Sequence, residues 1–400
     1  MRILHVTDKG ASGGGVAIHV EQLCESLAHA GHEVRTLRLV ADGREDGLAP
    51  ERALERFPRS YGFVRGLQLR ERLDTALRAH RPDVIHVHEC FSTLSPVLLA
   101  RMRRAAPVVG TLHDTRPFCY AMTRRFAPTG ALCERRCGVG CFTSGCVRPR
   151  DAVDMARWAR RCVVDAASLR QWRRLHRVIV PSVYLGELAL RHGVPAARLR
   201  RVAHGPPVPE GTPERRDEPP LLAFVGSLLR YKGVHVMLEA LERIRSRPWQ
   251  AAFVGDGPER VAILEAIARA GLAARVRVVG HVADRRELDE ILRRARLLEL
   301  PSIVPESFAM AGLEALAAGT PVVTFGLGGI AEWLRPGVNG LLAADGDAKD
   351  LARHIERLLE DPQLAARLGA CGRELVEHDF TPQRALEGVL AVYEEARKCS

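Results

Sequence analysis

Apolar positions along the chain recur in two alternating rhythms. "RILHV" at residues 2–6 is a short run of the kind that forms a buried strand, and the loop "TDKGASGGG" follows it. "VAIHVEQLCESLAHA" then repeats its apolar residues with helical period until Gly31 stops it, and "HEVRTLRLV" resumes as a strand. "DVIHVH" and "PVVGTLH" read as further strands buried on both sides, which predicts a parallel sheet covered by helices on its two faces.

The rhythm restarts after residue 205. "GPPVPEGTPERRDEPP" has no periodic apolar pattern and is the best linker in the chain. Beyond it, "LLAFVGSLLRYKGVHVMLEALERI" repeats the order strand, glycine loop, helix, and "AAFVGDGPE", "VRVVGHV", "RLLELPS" and "PVVTFG" supply more strands between helical stretches. The expected fold class is α/β: two doubly wound, Rossmann-like domains facing each other across a cleft, at 1–205 and 206–379, with a final amphipathic helix at 380–400. Ligands of such sheets bind beyond the carboxyl ends of the strands, so the cleft is the expected site.

Composition narrows the class. At 400 residues and 46% hydrophobic, the chain can bury two cores. No apolar window is long enough to span a bilayer, and "MRILHVTDKG" enters a strand directly, so the expected location is cytoplasmic. The net charge of +11 is concentrated at residues 101–177, in "RMRR", "RRFAPTGALCERR" and "RWARRCVVDAASLRQWRRLHR". Aromatic residues make up 5% and no nucleic-acid-binding motif accompanies these arginines, so nucleic acid is not an expected partner. The first reading of them is a solvated surface, with peripheral contact to an anionic membrane face as the alternative.

Two glycine loops carry candidate chemistry. Gly13, Gly14 and Gly15 follow the first strand; Gly226 to Gly233, with Ser227, Arg230 and Lys232, follow the first strand of the second half. Such turns offer backbone N–H groups and a helix dipole to phosphate, although neither matches the full G-x-G-x-x-G pattern. A third stretch, "PESFAMAGLEALAAGTPVV", places Glu306 and Glu314 among apolar residues. With Ser307 as helix N-cap and Gly319 as terminator, Glu314 falls two turns in, on the order of 12 Å from Glu306 along the axis. That span suits carboxylates gripping the two ends of a nucleotide sugar, with the diphosphate at the helix N-terminus. Glu314, flanked by Leu313, Ala315 and Leu316, requires a partner.

These residues bring out a family likeness. "GGGVAIHVEQLCESLAHAGHEV", "VVGTLHD", "FVGSLLRYKG", "FVGDGPE", "LPSIVPESFAMAGLEALAAGTPVV", "GLGGIAEWL" and "GVNGLL" together resemble the GT-B-fold retaining glycosyltransferases of family 4, the E-x7-E group. The resemblance implies an acceptor-side N-terminal domain, a nucleotide-sugar-binding C-terminal domain, and a last helix that crosses back to the first. It implies Glu306 at the donor sugar hydroxyls, Glu314 at the ribose, Lys232 at the diphosphate, and Gly14 and Gly15 near the phosphates; Arg230 is assigned as the second phosphate cation because Ser227 stands where the family often has Arg. Gly226, Ser227, Ser307, Phe308 and Ala309 complete the donor set. His113, beside the transferred sugar, joins Lys232, Arg230 and Glu306 as catalytic candidates, with the leaving phosphate as base and no cofactor required for catalysis. Two positions depart from the pattern: Ser227 stands where Arg is frequent, and Ala309 where glycine is usual.

The implied reaction moves a sugar from a nucleoside-diphosphate sugar to a hydroxyl acceptor, saccharide or lipid-linked, in cell-surface polysaccharide or lipopolysaccharide synthesis. Natural-product glycosylation, a same-fold epimerase or phosphorylase, and a metal- or polyanion-binding scaffold are the alternatives. Finally, an insertion at about 115–150 holds Cys119, Cys133, Cys137, Cys141 and Cys146. The C-x3-C-x3-C-x4-C spacing of the last four suggests a structural Zn site, with Cys119 as alternative ligand, weighed against a loop of free thiols or an iron–sulfur cluster. Cys24, Cys90, Cys162, Cys371 and Cys399 read as core or incidental.

Overall fold

The computed structural model describes residues 1–7, 14–38, 63–88, 94–211 and 219–399, and of residues 63–68 the backbone alone. Gly13, Cys90, most of the first glycine loop and the middle of the linker lie outside the described residues. The chain divides into two compact units, one running to Ala203 and taking up the stretch from Ala385, the other including His204–Arg384.

Among the described residues the first unit holds six strands: β1 (Arg2–Thr7), β2 (Glu33–Arg38), β3 (Val84–His88), β4 (Val108–Thr111), β5 (Arg177–Val180) and β6 (Leu199–Arg201). All pair in parallel, in the order β2-β1-β3-β4-β5-β6. The central strands carry apolar residues on both faces because both are covered. Leu4, Val6, Ile85 and Val87 pack with Leu98, Leu99 and Met102 of helix Pro96–Ala105 and with Trp172. Ile3, Val84 and Val109, on the other face, pack with Leu23 and Leu27 of helix Gly15–His29 and with Val389, Val392 and Tyr393 of the last helix, Pro382–Lys398. The last helix is thus part of the first unit's core, and Glu395 fastens it to β5 and β6 through Arg177 at 2.7 Å and Arg200 at 2.8 Å.

The second unit repeats the plan with β7 (Leu221–Val225), β8 (Gln250–Val254), β9 (Val276–Gly280), β10 (Ala295–Leu300), β11 (Val322–Thr324) and β12 (Gly340–Leu342). Its order is β12-β11-β10-β7-β8-β9, again all parallel. Strand order therefore reverses between β7 and β10, and the loops leaving those two strands flank the crevice where ligands of open α/β sheets bind. One face of the sheet packs Leu222, Phe224, Phe253 and Leu297 against helices Val234–Arg243 and Ala348–Glu360; the other packs Ala252 and Val254 against Ile291 of helix Arg285–Arg294. No described helix is long and apolar enough to cross a membrane.

Candidate active site

The loop after β7 places the first functional side chain. A single 3₁₀ turn, Arg230–Lys232, is followed by Gly233 at φ 73°, which opens helix Val234–Arg243. A Cβ on Gly233 would lie 1.7 Å from the carbonyl oxygen of Pro301, so a side chain here would drive the two loops apart. The loops are stitched together, the Ile303 N–H donating to the Tyr231 carbonyl at 3.0 Å. The N–H groups of these two glycines are engaged within the protein: the Gly226 N–H donates to Val254 O at 3.0 Å and the Gly233 N–H to Arg230 O at 3.1 Å. Arg230 and Ser227 are exposed, whereas Lys232 is half-buried.

Lys232 reaches the loop after β10, where its Nζ lies 2.7 Å from Glu306 Oε1. The Ser302 hydroxyl donates to the same oxygen. The Glu306 backbone is held from both sides, its N–H donating to Leu327 O at 3.1 Å and its carbonyl accepting from the Gly329 N–H at 2.7 Å. Gly328, at φ 73°, passes so near that a Cβ on it would lie 2.4 Å from the Glu306 carbonyl oxygen. Glu306 is therefore a carboxylate on a fixed backbone, already paired with a cation, beside the point where strand order reverses.

The helix beyond it starts later than its sequence suggests. Ser307 is not the N-cap; the helix is Met310–Ala317, and its N-cap is Ala309 at φ 59°, ψ 66°. The left-handed backbone explains the shift, since a turn of that hand separates Glu306–Phe308 from the helix proper, and it is a conformation costing an L-residue roughly 1–2 kcal/mol. Glu314 is consequently little more than one turn in, rather than two. Phe308 is buried, packs edge-on against His204 at 5.3 Å, and accepts a hydrogen bond from Trp333 Nε1 at 2.7 Å. The Trp333 ring in turn fills the space over Gly312, where a Cβ would lie 2.2 Å away. The helix ends as expected at Gly319, with the Gly319 N–H on Leu316 O and the Thr320 N–H on Ala315 O.

The partner that Glu314 requires is Arg285, whose Nη1 lies 2.5 Å from Glu314 Oε1 and whose Nε lies 2.9 Å from Asp289. Burial works to lower the Arg285 pKa, but the charges of Glu314 and Asp289 outweigh it and raise it. Ser302, Arg285, Gly328 and Trp333 were not singled out individually from sequence, although Ser302, Gly328 and Trp333 lie inside the motifs "LPSIVPES" and "GLGGIAEWL".

In the first unit, Gly14 at φ 69° caps helix Gly15–His29, and both Gly14 and Gly15 are exposed with nothing within 4 Å of an added Cβ. The Ala17 and Ile18 N–H groups donate to the Gly14 carbonyl at 2.9 and 3.2 Å, closing the first turn of that helix. His113, just past β4, is buried, and its Nε2 is 3.1 Å from His88 Nδ1; His88 Nε2 is 2.8 Å from His5 Nδ1. Alongside, His86 bridges Tyr393 and Thr111 with contacts of 2.7 Å each. Burial strips these imidazoles of affinity for protons: His5 is pushed down to about 3 and His19 to about 4, and His86 and His88 fall well below their ordinary value.

The cysteine insertion is not assembled as its spacing suggested. Cys137 and Cys141 approach to 3.8 Å, but among the described residues Cys133, Cys137, Cys141 and Cys146 do not gather as a set of metal-ligand atoms, nor does Cys119 complete one. Cys119 and Cys146 instead accept hydrogen bonds from the Arg124 and Ala127 N–H groups, both at 3.4 Å. The loop also holds a cation of its own. Arg124 is buried and donates to the carbonyls of Phe118 at 3.1 Å, Arg135 at 3.3 Å and Cys133.

Comparison with known proteins agrees with this architecture. A family model described as "Glycosyltransferase Family 4" matches residues 13–206, and one described as "Glycosyl transferases group 1" matches residues 211–375. The glycogen synthase of Mycobacterium tuberculosis is 29% identical over 96% of this chain and 92% of its own. The 2-deoxystreptamine glucosyltransferase of Streptomyces kanamyceticus is 33% identical over 44% of this chain and 45% of its own. The solved structure of Anabaena HepE in complex with UDP and glucose superposes with a TM-score of 0.70 over 98% of this chain and 99% of that one, at 19% identity, which speaks for the fold. With two family models covering both units between them, the chain belongs to the family 4 glycosyltransferases and is a glycosyltransferase of GT-B fold.

Proposed function

We propose that the enzyme moves a hexosyl group from a nucleoside-diphosphate sugar to a saccharide hydroxyl, with retention of anomeric configuration. The observation that carries this reading is the Lys232–Glu306 pair at 2.7 Å, set where strand order reverses. Donor binding exchanges that pair: Lys232 turns to the diphosphate, and the released Glu306 carboxylate accepts hydrogen bonds from the sugar hydroxyls. Glu314, held by Arg285 through one oxygen, offers the other to the ribose diol. The N-terminus of helix Met310–Ala317 and the exposed Arg230 add positive potential at the diphosphate, so charge developing on the leaving group meets fixed dipoles and cations. The leaving phosphate accepts the acceptor's proton. The UDP and glucose bound to HepE support a UDP-hexose as the first donor to try.

The test is a panel of nucleoside-diphosphate sugars with oligosaccharide acceptors, reading released nucleotide and the anomer formed. A donor turned over by the native enzyme but not by Lys232→Ala, with a retained anomer, supports the reading. Inversion, or turnover indifferent to residue 232, contradicts it. The relative named 2-deoxystreptamine glucosyltransferase supports 2-deoxystreptamine as the second acceptor for the panel.

A lipid-linked acceptor at an anionic bilayer is a further reading, favoured by exposed Val139, Val153 and Val163 lying among exposed Arg135, Arg136 and Arg157. Co-sedimentation with vesicles containing phosphatidylglycerol, and not with phosphatidylcholine alone, is its expected outcome; equal recovery with both refutes it.

A further inference from the structure

Two thiols of the cysteine insertion face each other. Cys119 and Cys146 are taken up by the backbone N–H groups of Arg124 and Ala127, whereas the Sγ atoms of Cys137 and Cys141 lie 3.8 Å apart, in direct contact. Local folding makes the pair. Cys137 immediately precedes a turn in which the Cys141 N–H donates to the Gly138 carbonyl at 2.9 Å, and that turn leads into the short helix Gly140–Thr143. Side chains four residues apart are thereby brought to one side. Cys137 is also anchored from outside the turn: its own N–H donates to His192 Nε2 at 3.3 Å, and its sulfur accepts the Tyr120 N–H at 3.2 Å.

Whether two touching thiols react depends on access and on reach. Both sulfurs belong to half-buried residues, so neither is sealed in the core. The residues between them are Gly138, Val139 and Gly140; Val139 is 78% exposed, and a Cβ on either glycine would meet nothing within 4 Å. A reagent can therefore approach from solvent, and the glycine backbone on both sides of Val139 has room to swing. A disulfide places its sulfurs about 2.05 Å apart, so the pair has to close by only roughly 2 Å.

We propose that Cys137 and Cys141 form a reversible dithiol–disulfide couple, oxidised by a small disulfide of the glutathione type. The Cys141 thiolate attacks one sulfur of that reagent and expels the other half as a thiolate; the Cys137 thiolate then attacks the Cys141 sulfur and expels the second half. One S–S bond breaks and one forms, two electrons pass from the pair to the reagent, and the two protons lost by the cysteines are taken up by the two expelled thiolates. Burial, and after it the charge of Cys141, raises the Cys137 thiol above its ordinary 9, which makes Cys137 the second to react. Once Cys141 is a mixed disulfide, that charge is gone and the closing attack is eased. The finished bridge ties the turn at Gly138 to the residue anchored on His192.

The test equilibrates the full chain without oxygen in mixtures of oxidised and reduced glutathione, quenches with acid, blocks remaining thiols and maps the peptides by mass spectrometry. A Cys137–Cys141 bridge, lighter by two hydrogens, is expected to grow with the ratio of oxidised glutathione to the square of reduced glutathione, and to disappear when that ratio is reversed. Cys137→Ser is expected to stop at glutathione held on Cys141, and Cys141→Ser to leave Cys137 unmodified under the same mixtures. A cooperative melt of the oxidised sample shows that the bridge formed in folded protein. A bridge between other cysteines of the insertion, or none in folded protein at the highest excess of oxidised glutathione, overturns the proposal. So does a zinc ion that co-purifies with the native chain and is lost in Cys137→Ser, because the sulfurs would then be metal ligands.

Discussion

The two units share a topology and treat the mouth of the sheet in opposite ways. In the second unit the loops leaving β7 and β10 are clasped: glycines pass against carbonyls, and the acidic side chains Glu306 and Glu314 are met by Lys232 and Arg285. In the first unit the glycines at the head of helix Gly15–His29 stand in open space, and polarity at the strand ends is carried by neutral imidazoles. The difference teaches that a doubly wound sheet constrains where a site lies and not how it is held.

The largest effect expected is at the ion pair. Lys232→Ala and Glu306→Gln should each lower transfer by at least about a hundredfold, near 3 kcal/mol, and the double variant should lose far less than the product of the two. Steady-state release of nucleotide checks this, and full additivity would mean that the two residues act on different steps. Next comes the clasp. Gly233→Ala should destabilise the second unit by about 3 kcal/mol, whereas Gly15→Ala should leave the melting temperature unchanged or slightly raised, since its new methyl meets nothing. Equal melts for the two would erase the contrast between clasped and open loops.

A third contrast lies in pH dependence, with opposite signs in the two units. Glu299 on β10 is fully buried with neither oxygen hydrogen-bonded among the described residues, and burial raises its pKa well above the carboxylate's ordinary 4.5. The folded state then binds a proton that the unfolded chain releases, so this group's contribution to stability declines as pH rises above about 4.5. His5 behaves inversely: pushed down from 6.5 to about 3, it stays neutral in the fold while the unfolded chain protonates, and stability declines as pH falls from 6.5 toward 3. Denaturant titrations from pH 4 to 9 should show Glu299→Leu stabilised by about 1–3 kcal/mol at the alkaline end and little at the acid end. His5→Phe should flatten the acid limb. The smallest effect belongs to Ala309→Gly, which relieves a left-handed backbone and should add about 0.5–1 kcal/mol, discounted for the freer unfolded glycine.

Much of this was legible in the sequence, for reasons that differ by region. Lys232 and Glu306 could be read because each sits one loop beyond an apolar run, and the strand-loop-helix order places such loops at one edge of a sheet. The late start of the helix at Met310 could not, because Ser307 is a better N-cap by type than the left-handed Ala309 that performs the role. Strands of three or four residues, such as β5, β6 and β12, are too brief to show a period. The cysteine spacing was legible as a pattern but said nothing of Arg124, whose guanidinium holds together carbonyls from the start and the middle of the insertion. The histidine chain was invisible for a plainer reason: His5, His88 and His113 are 83 and 25 residues apart and meet only through strand register.

The most direct measurement is a crystal structure with an intact donor or a non-hydrolysable analogue bound. The account predicts Lys232 turned from Glu306 to the diphosphate, the Glu306 carboxylate on the sugar hydroxyls and Glu314 on the ribose. A bound nucleotide sugar with the Lys232–Glu306 pair still closed at its present 2.7 Å would contradict it.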